Sequence, residues 1–302
     1  MSTSWPSSLQ RLDGTVGIWS FASEALAPAR AGEISQELES LGFGAFWFPE
    51  AWGREAFTNA GLQLSASSNI IVGTSIANIW GRDAIASTAA AKTLNAAYDD
   101  RFVLGLGVSH QPLVNGLRGH DYQSPLNAMR SYLEAMNAAT SFAPEAKQPY
   151  AKLIAALGPK MLELAAQLAD GVLPYLVTPE HTAIARAAVG DKFIGVEQAV
   201  VLGQTREEYL RRAHDHLATY SGLPNYRNSW KRLGFDESDF VRGGSERLCE
   251  AMVVHGDEAA VLARINEHRQ AGANHVCLQV LGSDLSKIPY DDWRALGPVV
   301  NA

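Results

Sequence analysis

Only two cysteines, Cys249 and Cys277, occur in 302 residues, and neither lies in a CxxC pair or near a histidine partner. A disulfide framework or a thiolate metal site is thereby excluded. The expected state is two buried thiols in a reduced cytoplasm. Long apolar runs are missing too: no window approaches the ~18 uninterrupted apolar residues of a bilayer span. The start, MSTSWPSSLQRLDG, has no basic n-region and no apolar h-region, so no signal peptide is expected. Positive charge is scarce, with Lys+Arg at 25 against Asp+Glu at 32 for a net charge of −7. A chain this acidic lacks the positive footprint that phosphate backbones require, so nucleic acid is not an expected partner. What remains is 47% hydrophobic and 19% charged, the composition of a folded domain rather than of a disordered or collagen-like chain.

Short apolar runs alternate with helical stretches from end to end. Thr15–Phe21, Ala45–Pro49, Ile70–Ile76, Phe102–Val108, Lys152–Leu157, Gly171–Leu176, Phe193–Leu202 and His275–Val280 read as strands. Helical patterns over Gly32–Leu41, Ala84–Tyr98, Ser124–Thr140, Met161–Leu168, Thr182–Val189, Thr205–Tyr220 and Glu258–Gln270 fill most gaps. This alternation argues for parallel strands joined by right-handed crossovers. Eight units point to one (β/α)₈ TIM barrel over residues 1–302, with an open doubly wound sheet as the other possibility. LESLGFGAFWF and HRQAGANHVCL share one junction, in which Gly42 and Gly272 are expected to end helices in the left-handed conformation. QLADGVLPY, at Gly171, is a related junction. The connections 109–151 and 203–274 exceed what one helix needs. Both follow a strand, so they read as insertions at the C-terminal face that partly roof the site.

Reacting groups in such a barrel come from the C-terminal ends of strands. Here those ends offer Trp19, Glu50, Ser75 to Asn78, Ser109, His110, Gly158, Tyr175 and Gln279. No HxH follows the first strand, and no lysine stands at a strand end, which disfavours a hydrolase metal centre and a Schiff-base aldolase. His214 and His216 lie two apart on a helical stretch and do not share a face, so no metal site is expected there. In FVLGLGV, Phe102, Leu104, Leu106 and Val108 fall on one face and Val103, Gly105 and Gly107 on the other. The glycines are expected to point inward and leave volume below the mouth for a flat ring. In LIAALGPKMLELA, residues Ala156, Leu157 and Gly158 precede Pro159 at the first helical position. Their N–H groups suit a phosphate at a helix N-terminus, with the charge of Lys160 nearby.

Together LGFGAFWFPEAWGR (41–54), VGTSIANIWGRDAIA (72–86), RFVLGLGVSH (101–110), AALGPKMLELAAQLADGVLPYLVTPEH (155–181) and AGANHVCLQVL (271–281) resemble the luciferase-like monooxygenase superfamily. Within it they resemble the coenzyme F420-dependent oxidoreductases. The resemblance implies a (β/α)₈ barrel, usually a homodimer, with a deazaflavin or flavin at the C-terminal mouth. It implies a non-prolyl cis peptide at Ser75–Ile76 backing the ring, with Asn78 contacting it. It places Gly107, Ser109 and His110 at the turn beside the cofactor, and Ala156, Leu157, Gly158 and Pro159 at its phosphate, in agreement with the turn read above. Glu50 faces the ring. This sequence departs from the sugar-phosphate dehydrogenases of the family, which have His where Ala51 stands and Glu where His110 stands. No specific substrate therefore carries over.

The resulting expectation is hydride transfer between F420 and a small organic molecule, with FMN-dependent two-component monooxygenation as the alternative. Glu50 or His110 would move the accompanying proton. Glu50 could instead pair with Arg54 or Arg82. Trp19, Trp52, Trp80 and Tyr175 would wall the substrate pocket. Because the chain is acidic, basic groups near the cofactor must be local, drawn from Lys160, Arg118, Arg227, Lys231 and Arg232.

Overall fold

A computed structural model describes residues 5–51, 53–140, 146–284 and 287–300. Among the described residues there are ten strands: β1 Val16–Trp19, β2 Ala45–Phe48, β3 Ile71–Thr74, β4 Ala77–Asn78, β5 Phe102–Gly107, β6 Ala151–Ile154, β7 Gly171–Val172, β8 Phe193–Leu202, β9 Val253–Gly256 and β10 His275–Val280. All pair in parallel. The order β10-β1-β2-β3-β5-β6-β7-β8 closes through a β8–β10 pairing, which makes an eight-stranded barrel ringed by helices. All eight expected strands are there, most of them shorter than expected. Gly171–Leu176 keeps only two strand residues, because Pro174 has no N–H to donate and Leu176 turns to φ +52°. Ile70–Ile76 gives way at Ser75, and β4 pairs separately with β5. β9 was not expected. It runs along the upper half of β8, at Ala199–Leu202, while short β7 covers only Phe193 and Ile194.

Period-two alternation sorts the side chains. Trp19, Ala45, Trp47, Ile71, Val103, Leu153, Leu173, Phe193 and Cys277 fill the barrel, while Ile18, Phe46, Val72, Leu104, Ile194 and Leu278 meet the helices. Helix Ser7–Leu12 closes the N-terminal end, with Leu9 and Leu12 fully buried in the inner cluster. Each such burial stabilises by roughly 1.5–3 kcal/mol. Gly42 and Gly272 end their helices at φ +88° and +106°, as expected. Gly171 is different. It lies within β7, where an added Cβ would meet the carbonyl oxygen of Phe193, so it serves close backbone approach. A second cluster, built on Tyr209, Tyr226, Trp230 and Phe240, belongs to the segment after β8. Its helices Arg206–Leu217, Pro224–Arg232 and Glu246–Met252 pack over that side of the mouth.

Candidate active site

The mouth is organised by a bulge between β3 and β4. The Ser75–Ile76 peptide is cis, as expected. Ser75 N–H donates to the Phe48 carbonyl at 2.7 Å, Glu50 N–H donates to the Ile76 carbonyl at 3.0 Å, and the Trp19 indole donates to the Ser75 carbonyl at 2.9 Å. Gly105 and Gly107 face inward as read from the sequence, but the volume they free is already taken. A Cβ on Gly105 would lie 2.0 Å from the Thr74 carbonyl oxygen, and one on Gly107 would lie 2.4 Å from Ile76 Cγ1. These glycines therefore make room for the bulge itself, and any ring must sit above Ile76 rather than below the mouth.

Glu50 buttresses this bulge. Its carboxylate accepts from Asn78 N–H at 2.8 Å, from Ala56 N–H at 3.3 Å and from the Arg82 guanidinium. Arg82 also reaches Glu55 at 2.9 Å. Of the two arginine partners read from the sequence, the structure selects Arg82; Arg54 donates to the carbonyls of Ser23 and Leu26. Asn78 is buried, and its Oδ1 accepts from Trp80 N–H at 3.0 Å. Its amide nitrogen has no acceptor among the described residues. The Trp80 indole donates to the Val108 carbonyl at 3.0 Å, near the rings of His120 and Tyr122. Trp52 lies outside the described residues.

Across the mouth, Trp19, Tyr175 and His110 converge through residues of the roof. Tyr175 Oη donates to Gln279 Oε1 at 2.7 Å and accepts from Tyr220 Oη at 3.1 Å. Its ring lies 5.2 Å from Trp19 and 6.4 Å from Tyr226. Tyr226 lies 5.9 Å from the His110 imidazole. Ser109 takes φ +57°, which turns His110 toward this group. The imidazole has no hydrogen-bond partner among the described residues, and burial lowers its pKa, so it is neutral at pH 7. The two candidate proton carriers thus stand apart: Glu50 is bonded behind the bulge, and His110 is free beside the roof.

Sequence reasoning missed one member of this group. Glu197 is 2% exposed on the inward face of β8. Its Oε2 accepts from Leu176 N–H at 3.0 Å, and its Oε1 has no partner among the described residues. Burial raises its pKa to about 8. The available signal was alternation: Phe193, Gly195 and Glu197 share one face of FIGVEQAVVL, which puts a lone acid inside the barrel.

The turn after β6 completes the mouth. Gly158 is the N-cap of helix Pro159–Leu168 and has no capping side chain. Arg232 of the roof donates to the Leu157 carbonyl at 3.0 Å, beside Gly158. Among the described residues Arg232 faces no carboxylate, whereas Arg227 and Lys231 both pair with Glu237. Lys160 is exposed on the first turn. Arg118 lies farther off, donating to the Ala51 carbonyl at 3.4 Å. An uncapped helix N-terminus beside an uncompensated guanidinium suits an anion.

The sequence model of the luciferase-like monooxygenase family matches residues 15–275. A Mycobacterium tuberculosis protein named as a coenzyme F420-dependent oxidoreductase is 28% identical over 299 residues, covering 85% of this chain and 82% of that one. Among solved structures, an F420-dependent secondary alcohol dehydrogenase in complex with an F420-acetone adduct superposes with a TM-score of 0.72 at 15% identity. The match covers 95% of this chain and 98% of that one. EDTA monooxygenase from Chelativorans sp. BNC1 has a TM-score of 0.69 at 12% identity, covering 96% and 93%. At those identities the solved structures establish the shared fold.

Proposed function

This chain belongs to the luciferase-like monooxygenase family, and we propose that it is an F420-dependent oxidoreductase moving a hydride to or from a small organic substrate at the barrel mouth. The observation that carries the reading is the pairing of two open features across that mouth. One is the bulge with the free Asn78 amide, and the other is the uncapped turn at Gly158 with unpaired Arg232. A planar cofactor with a phosphate side chain fits both. Ser75, Ile76, Asn78, Gly107 and Ser109 would hold the ring, and Ala156, Leu157, Gly158, Pro159 and Lys160 the phosphate, joined by Arg232. A bound deazaflavin supplies the two-electron hydride chemistry, and the chain supplies orientation and proton handling. Trp19 and Tyr175 would wall the substrate on the roof side, with Trp80 on the other.

His110 is proposed to exchange a proton with the substrate. Being neutral it is able to accept a proton, which is what substrate oxidation requires, although burial weakens it as a base. Glu50, engaged by three donors, is proposed to act on catalysis by holding the bulge and Asn78 in place. A homodimer is proposed, as in the family.

The relative named as F420-dependent supports the deazaflavin. The fold alone does not discriminate, since an oxygen-using monooxygenase shares it. The test is fluorescence titration of the purified protein with F420 and, separately, with FMN. Quenching by F420 is expected. Binding of FMN without F420 would overturn the proposal in favour of a two-component flavin monooxygenase.

A further inference from the structure

We propose that Glu197 supplies protons to the barrel mouth through the Tyr175 phenol, an inference that rests on the hydride-transfer reading above. Glu197 pairs in register with Cys277 of β10, and its N–H donates to the Pro174 carbonyl at 3.1 Å. That bond makes Tyr175 its lateral neighbour on the β7 side. The other polar side chains of this cluster are bonded to one another: Tyr175 to Gln279 at 2.7 Å, Tyr220 to Tyr175 at 3.1 Å and His216 Nε2 to Tyr175 Oη at 3.5 Å. Glu197 Oε1 is sealed in without a partner among the described residues. Facing the carboxyl are Tyr175 from the end of β7, Cys277 from β10, and Tyr220 and Tyr226 from the roof. No cation among them offsets its burial.

A buried charge without a counter-ion is costly, so the carboxyl keeps its proton at neutral pH. Packing alone would be met by an apolar side chain, as Phe193 meets it two turns of the alternation earlier on the same face. An acid held near neutrality beside a mouth is instead poised for proton transfer. Tyr175 and Tyr220 are half-buried and bonded to each other, so they lead from beside the sealed acid to the open mouth.

The step balances as follows. A hydride adds to one atom of a C=O or C=C bond of the substrate, and the π electrons move to the other atom. That atom takes the Tyr175 phenolic proton, and the phenolate takes the proton of the Glu197 carboxyl, whose unpartnered Oε1 has to turn toward it because the two side chains are not hydrogen-bonded as they stand. Solvent at the mouth then returns a proton to the buried Glu197 carboxylate by way of the hydrogen-bonded Tyr220 and Tyr175. The substrate gains two electrons, one hydride and one proton, and the hydride donor is oxidised by the same two electrons. His110, neutral at pH 7, serves the reverse direction, in which a proton must leave.

The experiment has two arms. Infrared difference spectra of wild type against Glu197→Gln, taken without cofactor, are expected to show a protonated-carboxyl stretch at neutral pH that disappears through about pH 8. With F420H₂ as hydride donor, wild-type substrate reduction is expected to fall off above that pH. Glu197→Gln and Tyr175→Phe should each slow turnover by on the order of 10²-fold. They should leave F420 affinity unchanged and lack the high-pH limb, and the double variant should be little slower than either single one. An ionised carboxyl at neutral pH overturns the relay. So does a Glu197→Gln enzyme that keeps both the rate and the high-pH limb. Failure to bind F420 overturns the proposed function instead, and it is seen in the titration, apart from the infrared arm.

Discussion

Inside the closed end of the barrel Trp47, His275 and Thr15 form a complete chain of hydrogen bonds, and the polar groups at the open end form none like it. Below, the Trp47 indole donates to His275 Nε2 at 3.0 Å, His275 Nδ1 lies 2.9 Å from Thr15 Oγ1, and Thr15 donates to the Leu12 carbonyl at 2.7 Å. Because the threonine hydroxyl spends its proton on Leu12, His275 must carry its own on Nδ1, which leaves Nε2 free to accept from Trp47. Gly73 and Gly17 admit these rings; a Cβ at either would meet Trp47 or His275 within 2.7 Å. Above, Glu197 Oε1, the His110 imidazole and the Asn78 amide have no such closure. Both ends are buried in the same barrel with the same strands. A buried polar group left open costs stability; Ser8 Oγ on the closing helix is one as well, but at the mouth Glu197 Oε1 lies among further open groups, which suits a ligand that completes the set.

The largest effect expected from this contrast is on stability at the closed end. Trp47→Ala removes a fully buried ring and strands the His275 acceptor. A loss of about 3–5 kcal/mol is expected in denaturant unfolding. A loss under about 1 kcal/mol would mean that the closed end is not where the fold is anchored.

The next effect is smaller and depends on pH, with opposite signs at the two ends. His275 has its pKa lowered to about 3 by burial, so the unfolded chain binds protons that the fold refuses. Its contribution is complete above the unfolded value of about 6.5 and is lost as pH falls toward 3. Protonation would also set an N–H of His275 against that of Trp47. Glu197, raised to about 8, behaves in the opposite way. The fold holds a proton that the unfolded chain releases above about pH 4.5, so stability falls as pH rises from there to about 8 and is flat beyond. Glu197→Gln is therefore expected to match wild type near pH 4 and to exceed it by a few kcal/mol at pH 9. Thermal unfolding across that range checks it, and a gap that is constant in pH would break the assignment of Glu197 as a neutral acid.

Much of the closed end was legible from the sequence, because packing leaves periodic traces. The alternation in FVLGLGV and the helix-ending Gly42 and Gly272 were read correctly. What escaped had its period broken by polar residues with a structural task. Helix Ala56–Ala66 buries Asn59 and Gln63, which bond Ser23, Ser35 and the Ala31 carbonyl, so its inner face does not look apolar. β9 is four residues whose place exists only because β7 stops short at Pro174. At the mouth, strand ends named Trp19, Tyr175 and His110, but not their link through Tyr220 and Tyr226, which lies 45 and 51 residues away from Tyr175 in a segment without strand register. Glu50 shows the limit most clearly. The sequence offered Arg54 and Arg82 as partners, and only the fold could choose between them, since the pairing crosses 32 residues of chain.

The smallest effects distinguish the two ends by charge. Arg232 and Lys160 flank the turn at Gly158, whereas Lys192 sits at the closed end in a recess of about 330 Å³ with Lys152 and Asp170. If the mouth alone is built for an anion, Arg232→Ala removes a charged donor already aimed at that turn. It is expected to weaken F420 binding tenfold or more, in line with roughly 1.5–3 kcal/mol for a hydrogen bond to a charged group. Lys160 is exposed and acts only through the helix terminus and the local field. Lys160→Ala should therefore cost about 0.3–1 kcal/mol, a few-fold at low salt. That loss should fade at physiological ionic strength, where the Debye length is ~8 Å. Lys192→Ala should leave binding unchanged at any salt. Fluorescence titrations of the three variants at low and high salt separate these outcomes. Equal losses for Lys160 and Lys192 would show that the protein's net charge, and not a local site, sets the effect of each lysine, and would remove the turn from the site.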